Sequence, residues 1–221
     1  AFITPSEFLK KKLSLNGFEE KRIHCIPTFT ASKTTIGEQQ IGSYGLYFGR
    51  VTEEKGVETV IKAYEKLPEY TVKIMGDDTT DEAKRLKKYV ENHKMKNVEF
   101  LGFKSGAELE NVIKGARFTL IPSIWYDNLP NTALESFQYS KPVIASNIGS
   151  LPELVIDGEN GYLFKPSNVE DLIRKIKMLD DDTLVKKMGQ ASRKRLESRF
   201  APQTHYEDLM KIFNEAVKSR K

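Results

Sequence analysis

Two acidic residues, Asp127 and Glu135, stand eight positions apart in this 221-residue chain. The preceding run from Phe118 to Ile121 is rich in β-branched and aromatic side chains, so it predicts a buried strand. Pro130 suits the first turn of a helix, because its missing N–H costs nothing there. Val143 to Ala145 predicts the next strand. The segment is therefore expected to be strand, loop, helix and strand, with one carboxylate in the loop and the other in the helix.

The chemistry of this segment suits a ligand that carries both hydroxyls and an anion. In an open α/β sheet, ligands bind beyond the carboxyl ends of the strands, where the loop after Ile121 is expected to lie. Free amides at the start of the helix suit an anion, and the two carboxylates can accept hydrogen bonds from hydroxyls. A diphosphate with a polyol at each end, which describes a nucleotide sugar, would use all of these groups. In the alternative interpretation, Asp127 is only a helix cap and Glu135 only a solvated helix residue.

A second turn carries two cations. Leu46 to Phe48 predicts the first strand of a domain, and apolar residues recur at helical spacing from Val57 to Leu67. Arg50 and Lys55 therefore bracket a strand-to-helix turn, where Gly56 allows the backbone to approach a ligand closely. Cations at such a turn are well placed for phosphates, although both are equally consistent with solvated surface residues. The turn matches neither the dinucleotide Gly-x-Gly-x-x-Gly pattern nor a P-loop.

Strands and helices are predicted to alternate along the rest of the chain. This alternation predicts an α/β fold with a Rossmann-like parallel sheet, helices on both faces and further helices at the C-terminus. Gly49, Gly76, Gly102 and Pro122 each come at the end of a predicted strand. We therefore expect these four residues to line up along one edge of the sheet.

Composition excludes several classes of protein. Hydrophobic residues make up 39% and charged residues 30% of the chain, as in soluble globular proteins. The formal net charge is +4 and basic residues are interleaved with acidic ones, so no nucleic-acid partner is predicted. The single cysteine excludes a disulfide framework and a cysteine zinc site, and it suits a reducing, cytoplasmic setting. No apolar run is long enough to span a membrane.

The chain divides into four predicted units. The first holds a strand tail, one helix and a second strand, which is too little for a domain, so the chain is expected to begin inside a larger protein. The units are the end of a missing N-terminal domain (residues 1–27), a polar linker (28–43), the main domain (44–200) and a final helix (201–221).

Local patterns near the two ends have simple interpretations. Thr4 to Glu7 matches a capping box, with Pro5 at the first helical position. His24 and Cys25 are neighbours in a predicted strand and so face opposite sides, which suits packing rather than a shared metal. Asp180 to Asp182 lie between two predicted helices, where capping explains them. No metal site is therefore predicted.

The combined motifs resemble those of retaining glycosyltransferases of group 1, family GT4, which have the GT-B fold. Gly49-Arg50 followed by Lys55-Gly56 resembles the family's Gly-Arg…Lys-Gly element, and Asp127 and Glu135 resemble its two acidic residues separated by seven. Three later segments also resemble family elements: Lys141 to Val143, Gly149 to Glu153 and Gly158 to Gly161. The resemblance extends from about residue 45 to the C-terminus, and it identifies this part as a donor-binding domain.

The resemblance implies a role for each residue of these motifs. Arg50 and Lys55 would hold the donor diphosphate, Glu135 would bind the ribose hydroxyls, and Asp127 would lie near the hydroxyls of the donor sugar. Arg50, Lys55 and Asp127 are therefore the predicted catalytic residues. The other predicted donor-binding residues are Gly49, Gly76, Gly102, Phe103, Asn128, Leu129, Pro130, Asn131 and Thr132, of which those from Asn128 to Asn131 would offer backbone amides. No metal or other cofactor is expected.

The resemblance also implies partners. The donor would be a UDP- or GDP-linked sugar, transferred with retention of configuration to a saccharide or a lipid-linked acceptor. The acceptor would mostly contact the missing N-terminal domain, so this chain is expected to bind donor but to transfer sugar poorly. The final helix would cross back to that domain, which would leave Leu209, Ile212 and Phe213 exposed. A cytoplasmic location is implied, with peripheral association at the inner membrane face, through the missing domain, as an open alternative.

Two departures from the family pattern leave other functions open. The family usually has Glu where this chain has Asp127, and often Gly-Asp-Gly where it has Gly76-Asp77-Asp78. The shorter carboxylate of Asp127 puts the contacts with the donor sugar in question. Asp78, in place of glycine, puts the close approach of the backbone to a ligand in question. The alternatives are a sugar-nucleotide epimerase of similar fold and a non-catalytic nucleotide-sugar binding module. Isomerisation of the donor would indicate the first, and failure to bind any nucleotide would favour the second.

Overall fold

The computed structural model describes residues 1–30 and 40–218. A two-stranded parallel sheet lies near the start of the chain and a six-stranded sheet follows it. The small sheet pairs β1 (Phe2–Thr4) with β2 (Ile23–Cys25), and α1 (Glu7–Leu15) lies between them in the chain. Residues 31–39, which form most of the predicted linker, lie outside the described residues.

The six-stranded sheet is built from alternating strands and helices. The strands are β3 (Tyr44–Phe48), β4 (Thr71–Met75), β5 (Val98–Gly102), β6 (Ala116–Ile121), β7 (Val143–Ser146) and β8 (Gly161–Phe164). The helices are α2 (Val57–Glu65), α3 (Asp81–Asn92), α4 (Gly106–Lys114), α5 (Asn131–Gln138), α6 (Leu151–Leu154), α7 (Val169–Lys177), α8 (Asp182–Arg199) and α9 (Pro202–Lys218). The strands predicted at 46–48, 118–121 and 143–145 each lie inside an observed one.

The order of the strands creates a crevice. It is β5-β4-β3-β6-β7-β8, and all neighbours are parallel. The first strand of this sheet, β3, thus lies in its middle. β4 and β5 follow on one side of it, and β6, β7 and β8 follow on the other. At such a switch point, here between β3 and β6, the two loops at the carboxyl ends diverge and leave room for a ligand. Those loops carry Arg50, Lys55 and Asp127, so the topology gathers the residues that the sequence singles out.

Helices cover both faces of this sheet. Because consecutive strand residues point to opposite faces, Tyr47 packs in one core cluster while Leu46 and Phe48 pack in another. The cluster around Tyr47 includes side chains from α2, α3 and α7. On the other face, α5 buries Leu134 and Phe137. These observations confirm the predicted α/β fold with a parallel sheet and helices on both faces.

The first helix begins later than predicted. Ser6, rather than Thr4, is the N-cap of α1, because its side chain accepts a hydrogen bond from the amide of Leu9 at 3.1 Å. The hydroxyl of Thr4 instead donates to the carbonyl of Ser6 at 3.2 Å. Pro5 therefore lies before the cap, and the prediction that it occupies the first helical position was wrong.

The start of α1 is bound to the large sheet unit through its polar groups. The amides of Glu7 and Phe8 donate to the two carboxylate oxygens of Glu153, at 2.9 and 2.7 Å. The hydroxyl of Ser6 donates to Oδ1 of Asn128 at 2.5 Å. A carboxylate at a helix N-terminus satisfies free amides and interacts favourably with the helix dipole. Helix α1 is thus docked on the loops that surround the crevice.

The final helix packs back against the beginning of the chain. Nδ1 of His205 lies 2.7 Å from the carbonyl oxygen of Pro27, and the centroid of its ring lies 4.7 Å from that of Phe29. Phe213 is 50% exposed, as expected. Ile212 is only 8% exposed, so the expectation of exposure was wrong for this residue.

Candidate functional site

The turn after β3 brings a lysine to the switch point. A short 3₁₀ turn, Glu53–Lys55, ends at Gly56, whose φ of +68° lies in the left-handed region. A Cβ at Gly56 would lie 2.1 Å from the carbonyl oxygen of Pro122, which follows β6. Glycine is therefore needed both for the backbone conformation and for the close approach of the two loops. This approach fixes the position of Lys55 relative to the loop after β6.

Lys55 and Asp127 form an ion pair across the switch point. Nζ lies 2.5 Å from Oδ1, and the two side chains are 19% and 13% exposed. The hydroxyl of Ser123 donates to the other carboxylate oxygen of Asp127. Because both charges are largely removed from water, salt screens this pair less than a surface pair. Asp127 is not the N-cap of α5, which is Pro130, so the interpretation of Asp127 as only a helix cap was wrong.

A serine from a later segment holds the loop that presents Asp127. Oγ of Ser150 accepts a hydrogen bond from the amide of Leu129 at 2.6 Å and donates to the carbonyl of Asp127 at 2.9 Å. Leu129 has a φ of +54°, which is uncommon for a residue with a side chain, and its side chain is buried. Burial and the Ser150 contact stabilise this conformation. The amide of Leu129 therefore donates to a group within the protein, whereas the sequence predicted that it would contact a ligand.

Helix α5 begins at the same crevice with free amides. Pro130 is its N-cap and makes no capping hydrogen bond, so the helix begins one residue later than predicted. The first helical residues, Asn131 and Thr132, line the crevice. Their amides donate to no group among the described residues. An uncapped helix N-terminus carries partial positive charge, so these two amides offer an anion site beside Lys55.

Arg50 lies at the mouth of the crevice. Its side chain is 73% exposed, and Nη2 lies 3.8 Å from a carboxylate oxygen of Glu54. An exposed pair at this distance contributes little to stability, so the guanidinium can turn toward a ligand. The buried hydroxyl of Tyr47 donates to the carbonyl of Arg50 and fixes the backbone there. Burial raises the pKa of Tyr47, which keeps this hydroxyl protonated.

A cavity of about 610 Å³ adjoins the crevice on the side of β4. Gly49, Gly76, Phe103 and Glu135 are among its lining residues. Glu135 is half-buried, and this burial raises the pKa of its carboxyl group. Glu135 is therefore not the solvated helix residue of the alternative interpretation. The ring of Phe103 is 74% exposed at the rim and presents a flat apolar surface.

Most of the predicted site residues line one of these two spaces. The crevice is lined by Gly49, Arg50, Lys55, Asp127, Asn128, Pro130, Asn131 and Thr132, and the larger cavity by Gly49, Arg50, Gly76, Phe103, Thr132 and Glu135. Gly102 and Leu129 line neither. The carbonyl of Gly102 instead accepts a hydrogen bond from the amide of Gly76 at 3.1 Å, which ties together the ends of β4 and β5.

The sequence prediction missed three supporting residues: Tyr47, Ser123 and Ser150. Ser123 directly follows Pro122, and Ser150 lies within the Gly149 to Glu153 motif, so both stand beside segments that had been singled out. The partners of Ser123 and Tyr47 are local, namely the carboxylate of Asp127 four residues on and the carbonyl of Arg50 three residues on. Ser150 contacts backbone groups of an earlier loop, and only the folded arrangement of the loops reveals that contact.

Residues 1–30 and 40–218 contain neither a cluster of metal ligands nor a membrane-spanning helix. No group of three or more His, Cys, Asp or Glu side chains in these ranges is arranged to hold a metal ion. None of the helices described there has the length and apolarity that crossing a membrane requires.

The fold and the crevice together define a class: a doubly wound α/β unit whose switch point combines cations, a helix N-terminus and carboxylates. Residues 35–195 match the family model described as glycosyl transferases group 1. The chain belongs to this family, as its motifs predicted.

Curated relatives are similar over most of the chain. An uncharacterised glycosyltransferase of Methanocaldococcus jannaschii is 30% identical over 174 residues, which cover 78% of this chain and 48% of the relative. A glycogen synthase of Mycobacterium tuberculosis is 31% identical over 186 residues, which cover 80% of this chain and 42% of the relative. The chain thus spans about half the length of the curated relatives it matches.

Solved structures share the fold. A glycosyltransferase from Rickettsia africae superposes with a TM-score of 0.88 over 98% of this chain and 63% of that one, at 22% identity. The Anabaena protein HepE, crystallised in complex with UDP-glucose, superposes with a TM-score of 0.85 over 96% of this chain and 63% of that one, at 19% identity. Both similarities support the fold class established above.

Proposed function

We propose that this chain is the donor-binding part of a retaining glycosyltransferase and that it binds a UDP- or GDP-linked sugar. One observation carries the proposal: Arg50, Lys55 and the uncapped start of α5 meet at a crevice that adjoins the cavity of Glu135. An anion site with a carboxylate on either side matches a diphosphate between two polyols. The Anabaena structure with UDP-glucose supports this choice of ligand.

The nucleotide end of the donor occupies the cavity of Glu135. A ribose presents two neighbouring hydroxyls, and a single carboxylate can accept a hydrogen bond from each. Because burial disfavours the charged form of Glu135, hydrogen bonds from the ribose replace lost solvation and stabilise the carboxylate. The exposed ring of Phe103 covers the base through stacking.

The diphosphate lies between Arg50, Lys55 and the start of α5. When the bond between sugar and diphosphate breaks, negative charge develops on the departing phosphate, and groups fixed in advance around it lower the barrier. At roughly 4 Å, each cation contributes about 1 kcal/mol in water and about 4 kcal/mol at an effective dielectric of 20. The helix terminus adds roughly 0.3 to 2 kcal/mol. The two side chains therefore dominate.

The ion pair of Lys55 and Asp127 gives the site a preference for an intact donor. In the structure, Asp127 neutralises much of the charge of Lys55. A diphosphate must compete with Asp127 for this lysine, which leaves the carboxylate in need of another partner. A hydroxyl of the donor sugar supplies that partner, whereas a nucleoside diphosphate has none to offer there. Asp127 thus serves the sugar, and Lys55 the phosphates.

Calorimetric titrations with UDP, GDP and ADP, and then with their glucose conjugates, test the proposal. We expect saturable binding of one nucleotide, clearly weaker binding in Glu135→Ala, and no change in the control Glu215→Ala, whose side chain is exposed on α9. Binding of no nucleotide would refute the proposal. Conversion of a bound donor into its epimer would instead favour the epimerase.

Transfer is a separate measurement. Because the chain spans about half the length of its curated relatives, we expect it to bind donor yet to transfer sugar slowly to a saccharide or lipid-linked acceptor. Robust turnover by this chain alone would contradict that expectation.

A further inference from the structure

A third cavity, of about 400 Å³, lies beside the ion pair of Lys55 and Asp127. It is lined by Arg50, Glu54, Lys55, Trp125, Tyr126 and Asp127. Trp125 is 65% exposed and Tyr126 52% exposed. Two exposed aromatic rings thus stand next to two carboxylates and two cations.

The three spaces follow one another in a row. The crevice shares Arg50, Lys55 and Asp127 with this third cavity, and it shares Phe48, Gly49, Arg50 and Thr132 with the cavity of Glu135. The two outer cavities have only Arg50 in common. Nucleotide, diphosphate and donor sugar extend along this row from Glu135 to Asp127. The aromatic cavity therefore begins where the donor ends.

The backbone of the aromatic loop and the ring of Tyr126 are held in place. The amide of Ile124 donates to the carbonyl of Glu54 at 3.0 Å, and the amide of Asp127 donates to the carbonyl of Trp125 at 2.8 Å, which makes a tight turn. Phe8 of α1 packs against Tyr126 with ring centroids 5.1 Å apart. A preformed surface loses little conformational entropy on binding. These contacts are therefore more typical of a ligand site than of a surface loop with no binding role.

We propose that this aromatic cavity binds the saccharide acceptor, with Trp125 as the ring on which the acceptor stacks. The inference rests on the donor site proposed above and adds to it the class of acceptor and the residues that recognise it. In the transfer, the acceptor oxygen forms a bond to the anomeric carbon while the bond from that carbon to the diphosphate breaks. The electron pair of the broken bond stays on the diphosphate, which takes up the acceptor proton.

The lining of the cavity matches the chemistry of a sugar. Axial C–H groups on one face of a pyranose carry slight positive charge and pack on the negative face of an aromatic ring. The hydroxyls at the edge of the pyranose donate to carboxylates, here Glu54 and Asp127. An anionic membrane surface would also attract aromatic side chains, but Arg50 and Lys55 balance the two carboxylates, so the lining carries no net positive charge to hold anionic headgroups. A saccharide is therefore the occupant that the charges favour.

The fluorescence of Trp125 provides a direct test, because this residue is the only tryptophan in the chain. Its emission is followed during titration with maltotriose, triacetylchitotriose and mannotriose, with and without saturating UDP. We expect a saturable change with one trisaccharide and about tenfold weaker binding of it in Tyr126→Ala, which keeps the reporter. Calorimetry should show the same loss in Trp125→Ala. The control Phe213→Ala removes an equally exposed ring from α9 and should change nothing.

Each outcome bears on the inference. If UDP binds by calorimetry but no trisaccharide changes the emission of Trp125 or releases heat, the aromatic cavity is not a saccharide site, although the donor proposal stands. If the emission shifts only with phosphatidylglycerol vesicles, the aromatic loop meets a membrane surface and the inference is overturned. Trisaccharide binding that survives in both Trp125→Ala and Tyr126→Ala would place the saccharide elsewhere.

Discussion

Replacement of Lys55 by alanine should weaken binding of UDP or GDP, whichever the chain prefers, by about 2 kcal/mol or more, which is roughly 30-fold in Kd. The lysine is mostly shielded from water and lies at the crevice lined by the start of α5. The substitution removes one of the two predicted phosphate ligands. It also leaves the carboxylate of Asp127 without its cation, where it repels the incoming diphosphate. Both effects act in the same direction.

The structure makes the opposite prediction for the partner of this lysine. Asp127→Asn removes the charge that competes for Lys55 and preserves the shape of the side chain. The value for two charges in bulk water, about 1 kcal/mol at roughly 4 Å, is a lower bound for this largely buried pair, so the nucleoside diphosphate should bind at least roughly fivefold more tightly. The corresponding sugar nucleotide should gain less or lose affinity, because its sugar hydroxyl loses the carboxylate.

Isothermal titration of both variants with nucleoside diphosphate and sugar nucleotide measures these effects. Lys62→Ala is a matched control, because Lys62 makes an exposed pair with Glu58 on α2 at 2.7 Å, outside the crevice. Circular dichroism should show that all variants remain folded. An unchanged Kd in Lys55→Ala would remove this residue from the site. Equal weakening by both substitutions would show that Asp127 assists diphosphate binding and does not compete for the lysine.

Three further predictions concern other parts of the site and its support. Glu135→Ala should cost about 1 to 3 kcal/mol of nucleotide affinity, and calorimetry should show that the variant no longer distinguishes UDP from its 2′,3′-dideoxy analogue; a discrimination that persists would argue against a ribose contact. Gly56→Ala should lower the free energy of unfolding by roughly 1 to 3 kcal/mol, read from urea titration, because its Cβ would meet the carbonyl of Pro122 at 2.1 Å; wild-type stability would contradict the close approach. Burial lowers the pKa of Lys141 to about 8. Between about pH 8 and 10 the unfolded chain therefore binds more protons than the folded chain, and the free energy of unfolding should rise with pH. The same rise in Lys141→Met would exclude this residue as its source.

The fold could be predicted because its signals are local. Alternating strands and helices, with a glycine or proline at the ends of four strands, specify a parallel sheet and the edge at which ligands bind. Lys55 and Asp127 could each be singled out by their motifs. Their ion pair could not, because it joins residues far apart in the chain, and it exists only because the strand order reverses between β3 and β6.

The errors have equally specific causes. Thr4 and Ser6 both satisfy the rules for a helix cap, and local sequence does not choose between them. Thr4 pairs with Cys25 in the small sheet and therefore belongs to strand β1, so Ser6 is the N-cap of α1. Local sequence predicts a free amide at Leu129, because the acceptor of that amide, Ser150, lies in a later segment. Burial of Ile212 likewise depends on packing of α9 that no pattern within the helix encodes.

The bonds between Glu153 and the first turn of α1 have a consequence for anyone who wishes to shorten this protein. The first residues resemble an appendage, since their small sheet shares no strand with the large one. Trimming the chain to begin at residue 40 would nevertheless strip the carboxylate of Glu153 of both amide donors and free Asn128 from Ser6. It would also uncover one side of Tyr126. The smallest autonomous version therefore includes α1, and a protease that clips between α1 and the large sheet should leave the two pieces associated.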